Sequence, residues 1–194
     1  VALMLLFFIR LTPYFFGVLL LVYFFKLIIL QGKIRSLNSE QELRLREKYP
    51  EMTESDLKAR RSEISSYLSH YLMKGFKRYI WLSAAIGAIV FLIVAFVFLF
   101  MMEGYIFGVL YAFVFYSAAL CYKCYPSYTE QAVFWKDYLE KNPENPLKID
   151  PAPEDPQTIM KSQAKLPKYA FAVANCTIGL TLALKIISDG YFFF

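Results

Sequence analysis

The sequence predicts an all-α polytopic integral membrane protein, with about four transmembrane helices and two polar loops on the same side. Three observations carry that prediction. Residues 79–102 and 105–122 are uncharged runs separated only by Glu103 and Gly104, and as helices they would be roughly 36 and 27 Å long, bracketing the apolar thickness of a bilayer. The whole chain is 58% hydrophobic and 19% aromatic, too apolar for an ordinary soluble domain of 194 residues. Finally, eighteen of its 21 basic residues fall in two polar segments, 31–78 and 123–168, the asymmetry expected of loops that stay on one face of a membrane.

The first membrane element comes from residues 1–30, an apolar stretch interrupted by Arg10 and Lys26. These cations lie about 24 Å apart along a helix, so each can snorkel from a helix end into headgroups. The expected span runs between them, with Pro13 in its first turn, where a missing amide is tolerated, and residues 1–9 as a short apolar lead-in. The chain begins at Val1 and lacks a basic n-region, so a preceding piece is expected to have been cleaved or to lie outside this sequence.

Residues 31–78 carry eleven basic against seven acidic side chains. Ser39 and Glu42 have capping-box spacing, followed by the pairs Glu40/Arg44 and Glu42/Arg46, which predicts a short helix ending at Pro50. Thr53 and Asp56 repeat the box. From there Leu57, Ile64, Leu68, Tyr71 and Leu72 recur at helical spacing towards the membrane, with at most a break at Gly75.

The hairpin of residues 79–122 must be helical, because lipid cannot satisfy the amides of isolated strands. Its β-branched content (Ile86, Ile89, Val90, Ile93) reads as membrane hydrophobicity. Residues 123–168 have balanced charge, seven lysines to seven acids. A short amphipathic helix is expected over 129–141, with Val133, Phe134 and Tyr138 on one side. Residues 142–157 hold five of the nine prolines and are expected to lie extended over a surface or be mobile. The fourth membrane helix is placed at 169–184, extendable to Ile187, with residues 191–194 as an aromatic interfacial anchor.

Candidate sites are few. Cys121 and Cys124 form a possible thiol pair at the inner end of the third span. A structural zinc site wants four ligands, and the single histidine, His70, has no second pair beside it. Packing or inert thiols, juxtamembrane acylation, and redox or metal chemistry remain open, in that order. The three cysteines, with Cys176, do not make a secreted disulfide framework and point to a reducing compartment. Small residues recur every four positions in Gly104, Gly108 and Ala112, in Ala84 and Ala88, and in Gly179 and Ala183, ridges that let helices approach closely. Arg10, Lys26 and Lys185 are expected as interfacial anchors. Asn175 and Thr177 are the most polar groups inside a span, with interhelical hydrogen bonding as their expected role. The cluster Lys58, Arg60, Arg61 reads as a solvated face, with anionic headgroups as the alternative.

No nucleophile elbow, phosphate-cradling glycine loop, zincin motif or calcium loop occurs in the sequence. The function expected is therefore a non-catalytic accessory subunit of a multisubunit membrane complex, without catalytic residues, metal or cofactor. Its partners would be other membrane subunits and lipid rather than nucleic acid. An energy-transducing complex of an organellar (mitochondrial) inner membrane is the expected setting, with the polar loops on the matrix or cytosolic face. The alternative is a small transporter or channel lined by Lys26, Glu103, Asn175 and Lys185, and a thiol enzyme comes third.

Overall fold

The computed structural model describes residues 2–101, 104–149 and 156–189, save the side chains at 2, 3, 5 and 6. Val1, Glu103 and the anchor expected at 191–194 lie outside them. Among the described residues six helices follow one another: α1 (Ala2–Lys48), α2 (Glu54–Tyr71), α3 (Phe76–Phe100), α4 (Gly104–Cys124), α5 (Tyr128–Lys141) and α6 (Pro156–Ser188). Four of them, α1, α3, α4 and α6, contain segments long and apolar enough to cross a membrane. The protein is an all-α, polytopic integral membrane protein.

Helix α1 corrects the expected start at Ser39. It runs unbroken for 47 residues, about 70 Å, because residues 31–38 contain no proline and extending a formed helix costs far less than nucleating a new one. Pro13 consequently lies inside the helix, where the Thr12 hydroxyl donates to the Phe8 carbonyl at 2.9 Å in the turn that lacks the proline's N–H. The helix stops where expected. Tyr49, preceding Pro50, is disfavoured in the α region, and Arg46 and Lys48 occupy the last turn, favourably placed at the negative helix end.

Thr53 caps α2 as predicted, its N–H donating to Asp56 Oδ2 at 2.8 Å while its hydroxyl accepts from the Asp56 amide at 3.2 Å. The break before α3 falls at Gly75, whose φ of 57° suits glycine. α5 begins one residue earlier than expected, behind a second capping box between Ser127 and Glu130.

α6 departs most from expectation. Instead of beginning near Tyr169 it starts at Pro156 and continues through Pro167. Pro156 opens the helix, where its fixed φ is pre-organised and its missing N–H is not needed. The added turns gain burial at Ser162 and Leu166.

α6 is the centre of the bundle, packed against α1 and α4, while α3 packs against α4. The core joins Leu27 of α1, Ala119 of α4, and Leu166, Ala170 and Val173 of α6, with Phe24, Ile34 and Phe115 around them. Ala112, Ala119, Ala170 and Ala174 are wholly buried, so the backbones approach through small side chains, as membrane helices do without a hydrophobic driving force between them. The outer faces of α1 and α3 are apolar and exposed, with Phe7, Phe15, Phe25, Ile86, Phe96 and Phe100 among the most open. In water such faces would drive aggregation; in lipid they are the solvated surface.

Register fixes the level of the charges. Gly179 of α6 meets Phe16 of α1, and the two helices run antiparallel, so six residues further along Arg10 is level with Lys185. Lys185 bonds Asp189 at 2.9 Å and lies over the Tyr105 ring, while Lys26 lies over the Tyr23 ring. Lys168 and Lys185 are separated along α6 by about 26 Å, close to the Arg10 to Lys26 interval of about 24 Å. Two belts of cations thus bracket an apolar slab of bilayer dimensions.

Candidate functional site: a polar cap with a basic cavity

At the end of the bundle beyond Lys26 and Lys168, the end of α1, all of α2, α5 and the turn at 142–149 form one polar cap. Both polar segments sit at the same end of the bundle because they bond to each other. Arg60 of α2 donates from Nε to the Leu147 carbonyl at 2.8 Å and from a terminal nitrogen to the Lys148 carbonyl at 3.1 Å. Lys148 reaches Glu51 at 3.1 Å and lies 4.4 Å from the centre of the Tyr49 ring. Tyr67 meets Tyr138 edge-on, Tyr71 stacks on Phe134, and Lys77 approaches Glu130 at 3.4 Å.

The turn that Arg60 grips is folded rather than extended. Asn145 and Lys148 take left-handed conformations (φ 44° and 49°), and the Asn145 side chain clamps Ile149 by accepting from its N–H at 2.8 Å and donating to its carbonyl at 2.9 Å. Asparagine tolerates that region better than most residues. Leu147 and Ile149 are thereby buried. Of the proline-rich segment, residues 150–155 lie outside the described residues.

The cap encloses a cavity of about 680 Å³ between α1, α2, α5 and the turn. Among the described residues its wall carries Arg35, Arg44, Lys48, Arg60, Arg61 and Lys148 together with the carboxylate Glu42, with Tyr49, Tyr128 and Trp135 among the aromatic lining. Glu42 is ion-paired with Arg61. Outside the cavity, three carboxyls among the described residues are held below their usual range, Glu130 chiefly by the backbone N–H of Ser127. Glu51 is lowered chiefly by its own backbone N–H and then by the Lys148 ammonium; Asp56 is lowered by the hydroxyl and then the amide of Thr53.

The residues singled out from sequence take distinct places. Gly108 packs so closely on Thr181 that a Cβ there would collide with it, and a Cβ on Gly179 would stand 2.5 Å from the Phe16 ring. Ala112 and Ala183 are buried, Ala84 is buried against α4 and Ala88 half-buried. Gly104 takes no part in the ridge, having no atom within 4 Å of its would-be Cβ; Gly87, not singled out, is the one that contacts Ser117. Cys121 and Cys124 are free thiols one turn apart on α4, with the Cys121 sulfur 3.8 Å from the Trp81 carbonyl. No cluster of three metal-ligating side chains occurs among the described residues. Asn175 accepts from the Tyr116 hydroxyl, joining α6 to α4, whereas Thr177 bonds back to Val173 of its own helix at 2.9 Å. A further interhelical bond, Gln31 to the Tyr122 hydroxyl at 2.7 Å, ties α1 to α4 near the polar cap. His70 is exposed, edge-on to Tyr71.

Of the cluster Lys58, Arg60 and Arg61, Arg60 is a strut rather than part of a solvated face. The cavity itself escaped the sequence reading. Its α1 positions 35, 38, 42 and 45 recur at three- and four-residue spacing, with Tyr49 just past the helix end, a stripe that exists only once α1 is continuous through Ser39. No family model, curated protein or solved structure matches this chain.

Proposed function

We propose that the protein is a non-catalytic accessory subunit of a multisubunit membrane complex, anchored by four helices and presenting its polar cap to partners at the inner face. One observation carries the reading. α3 packs on α4 and leaves a broad face of Phe76, Tyr79, Ile86, Ile89, Ile93 and Phe100 open along the depth of the membrane, suited to lipid or to the helices of neighbouring subunits. The excess of basic residues on the cap supports a matrix or cytosolic orientation. An energy-transducing complex of an organellar inner membrane is the setting we propose for it.

Native mass spectrometry of mildly solubilised membranes tests this. The expected result is this chain in stoichiometric company with other membrane subunits; a chain running alone overturns the reading. A transport role draws on the polar seam of Tyr116, Asn175 and Lys185 between α4 and α6. Flux through liposomes containing the purified chain alone, abolished by Asn175→Ala and Lys185→Ala, would favour it instead.

A further inference from the structure

We infer that the groove between α3 and α4 is a phospholipid site, in which Ser83 and Ser117 donate hydrogen bonds to ester carbonyls and one acyl chain lies against Ala84 and Gly87. The groove has a volume of about 360 Å³ and a floor of small residues. Ala84 is buried, and a Cβ on Gly87 would already touch Ser117 Oγ at 3.5 Å. Phe91, stacked on Phe113 with ring centres 5.2 Å apart, closes the deep end, and Phe76 stands at the end nearer the polar cap. Small residues alone would mark only close packing. The hydroxyls mark more. Elsewhere in the spans Thr12, Thr177 and Thr181 each donate to the carbonyl four residues before them, the usual way of satisfying such a group in lipid. Ser117 is only 7% exposed, yet its hydroxyl meets no hydrogen-bond partner among the described residues, and neither does that of Ser83. No buried side-chain oxygen among those residues is sealed off without a partner, so the Ser117 oxygen opens on the groove it lines. A hydroxyl left in hydrocarbon without a partner costs free energy that an incoming acceptor recovers.

Depth selects the acceptor. Ser83 lies about 7.5 Å along α3 from Arg78, and Ser117 about 9 Å along α4 from Lys123, cations that take their place among the headgroups. The polar interface of a bilayer is about 5–7 Å deep on each side, so both hydroxyls stand near its inner boundary, where a phospholipid carries its two ester carbonyls. Deeper still, Ala84, Gly87 and Phe91 offer only apolar contact, over about 12 Å of helix from Ser83 to Phe91. A stretch of acyl chain fits the groove. A helix, about 10–12 Å across with its side chains, does not enter it, and the exposed rings of Phe76 and Tyr79 at the rim hold a partner's backbone off. The site belongs to the single chain and holds whether or not other subunits assemble around it.

The test is native mass spectrometry of the full chain, purified in neutral detergent and given dioleoyl phosphatidylcholine or its diether analogue, which has the same headgroup and chains but no ester carbonyl. The native chain should retain the diester in preference to the diether by about fivefold or more. Ser83→Ala with Ser117→Ala should bind the two lipids equally while its thermal unfolding stays unchanged, since the hydroxyls removed bond nothing within the described residues. Gly87→Leu fills the groove and should weaken retention of both lipids by about tenfold, whereas Gly17→Leu, where no atom lies within 4 Å of a Cβ, should leave it within about twofold. Equal retention of diester and diether by the native chain overturns the proposal, as does a preference that survives in the double variant. Equal loss in Gly87→Leu and Gly17→Leu overturns it too, since the retained lipid would then be a general annulus. A photo-reactive side chain placed at Leu120, on the groove wall, should cross-link to lipid in native membranes; cross-linking to another polypeptide overturns the proposal in favour of a partner's helix.

Discussion

Replacing Gly108 by alanine tests the close approach of α4 to Thr181 of α6. The new methyl would stand 2.9 Å from Thr181 Cγ2 and 3.1 Å from Thr181 Cβ, where carbon atoms normally sit about 3.5–4.0 Å apart. Thr181 cannot turn aside freely: its hydroxyl donates to the Thr177 carbonyl at 2.8 Å, and a β-branched side chain has few rotamers in a helix. Gly108→Ala must therefore break that bond, at about 1 kcal/mol, or part α4 from α6. A separation of about 0.5–1 Å forfeits a quarter to a half of the dispersion energy of each contact across the seam. Overpacking of this kind costs about 1–3 kcal/mol, and the better helix propensity of alanine returns up to about 1 kcal/mol. A net loss of about 1–2 kcal/mol is predicted, read by thermal or SDS unfolding of the purified protein. Gly17→Ala, where no atom lies within 4 Å, is the control and should lose nothing. Adding Thr181→Ala removes the colliding Oγ1 and Cγ2 and should restore most of the stability lost by Gly108→Ala. An unaltered Gly108→Ala protein, or a double variant no more stable than the single, would refute the close packing described for α4 and α6.

The remaining predictions concern the cap and the thiols. Arg60→Ala should release the 142–149 turn, losing charge-assisted hydrogen bonds of about 1.5–3 kcal/mol together; amide exchange should speed at Leu147 and Ile149 while the membrane core stays protected. Because Asp56 is lowered in the folded state, its contribution to α2 is complete above the ordinary aspartate range and is lost as pH falls through the lowered value. Its NMR titration midpoint should rise in Thr53→Ala, and an unchanged midpoint would count against the capping box. Cys121→Ser with Cys124→Ser should shift stability by no more than about 1 kcal/mol and leave the proposed association with other subunits intact; loss of association would instead bring thiol chemistry forward.

How much of this was legible in the sequence depended on the scale of the signal. The spans were plain, since long uncharged runs have no other stable form in lipid. The Thr53 box and the break at Gly75 were also legible, both being local chemistry. Local signals misled where a longer element overrode them: Ser39 and Glu42 have capping spacing, yet the helix already formed through Lys33 and Ile34 passes over them. The same holds for Pro156, read as part of an extended strap when it opens α6 and lets Ser162 and Leu166 pack. The cavity was the least legible feature. It depends on Arg60 reaching Leu147 and on Lys148 reaching Glu51, contacts between segments far apart in the chain that no periodicity records. Gly108 and Gly104 share one ridge in sequence, and only the packing of α6 on α4 separates them.

The account rests above all on both polar segments sharing one face of the membrane. Labelling by a membrane-impermeant maleimide in oriented vesicles, with the native cysteines replaced by serine, measures that directly. Lys58→Cys and Lys136→Cys should react from the same side and Ser188→Cys from the other. Reaction of Lys58→Cys and Lys136→Cys from opposite sides would contradict the account, dissolving the cap and its cavity together.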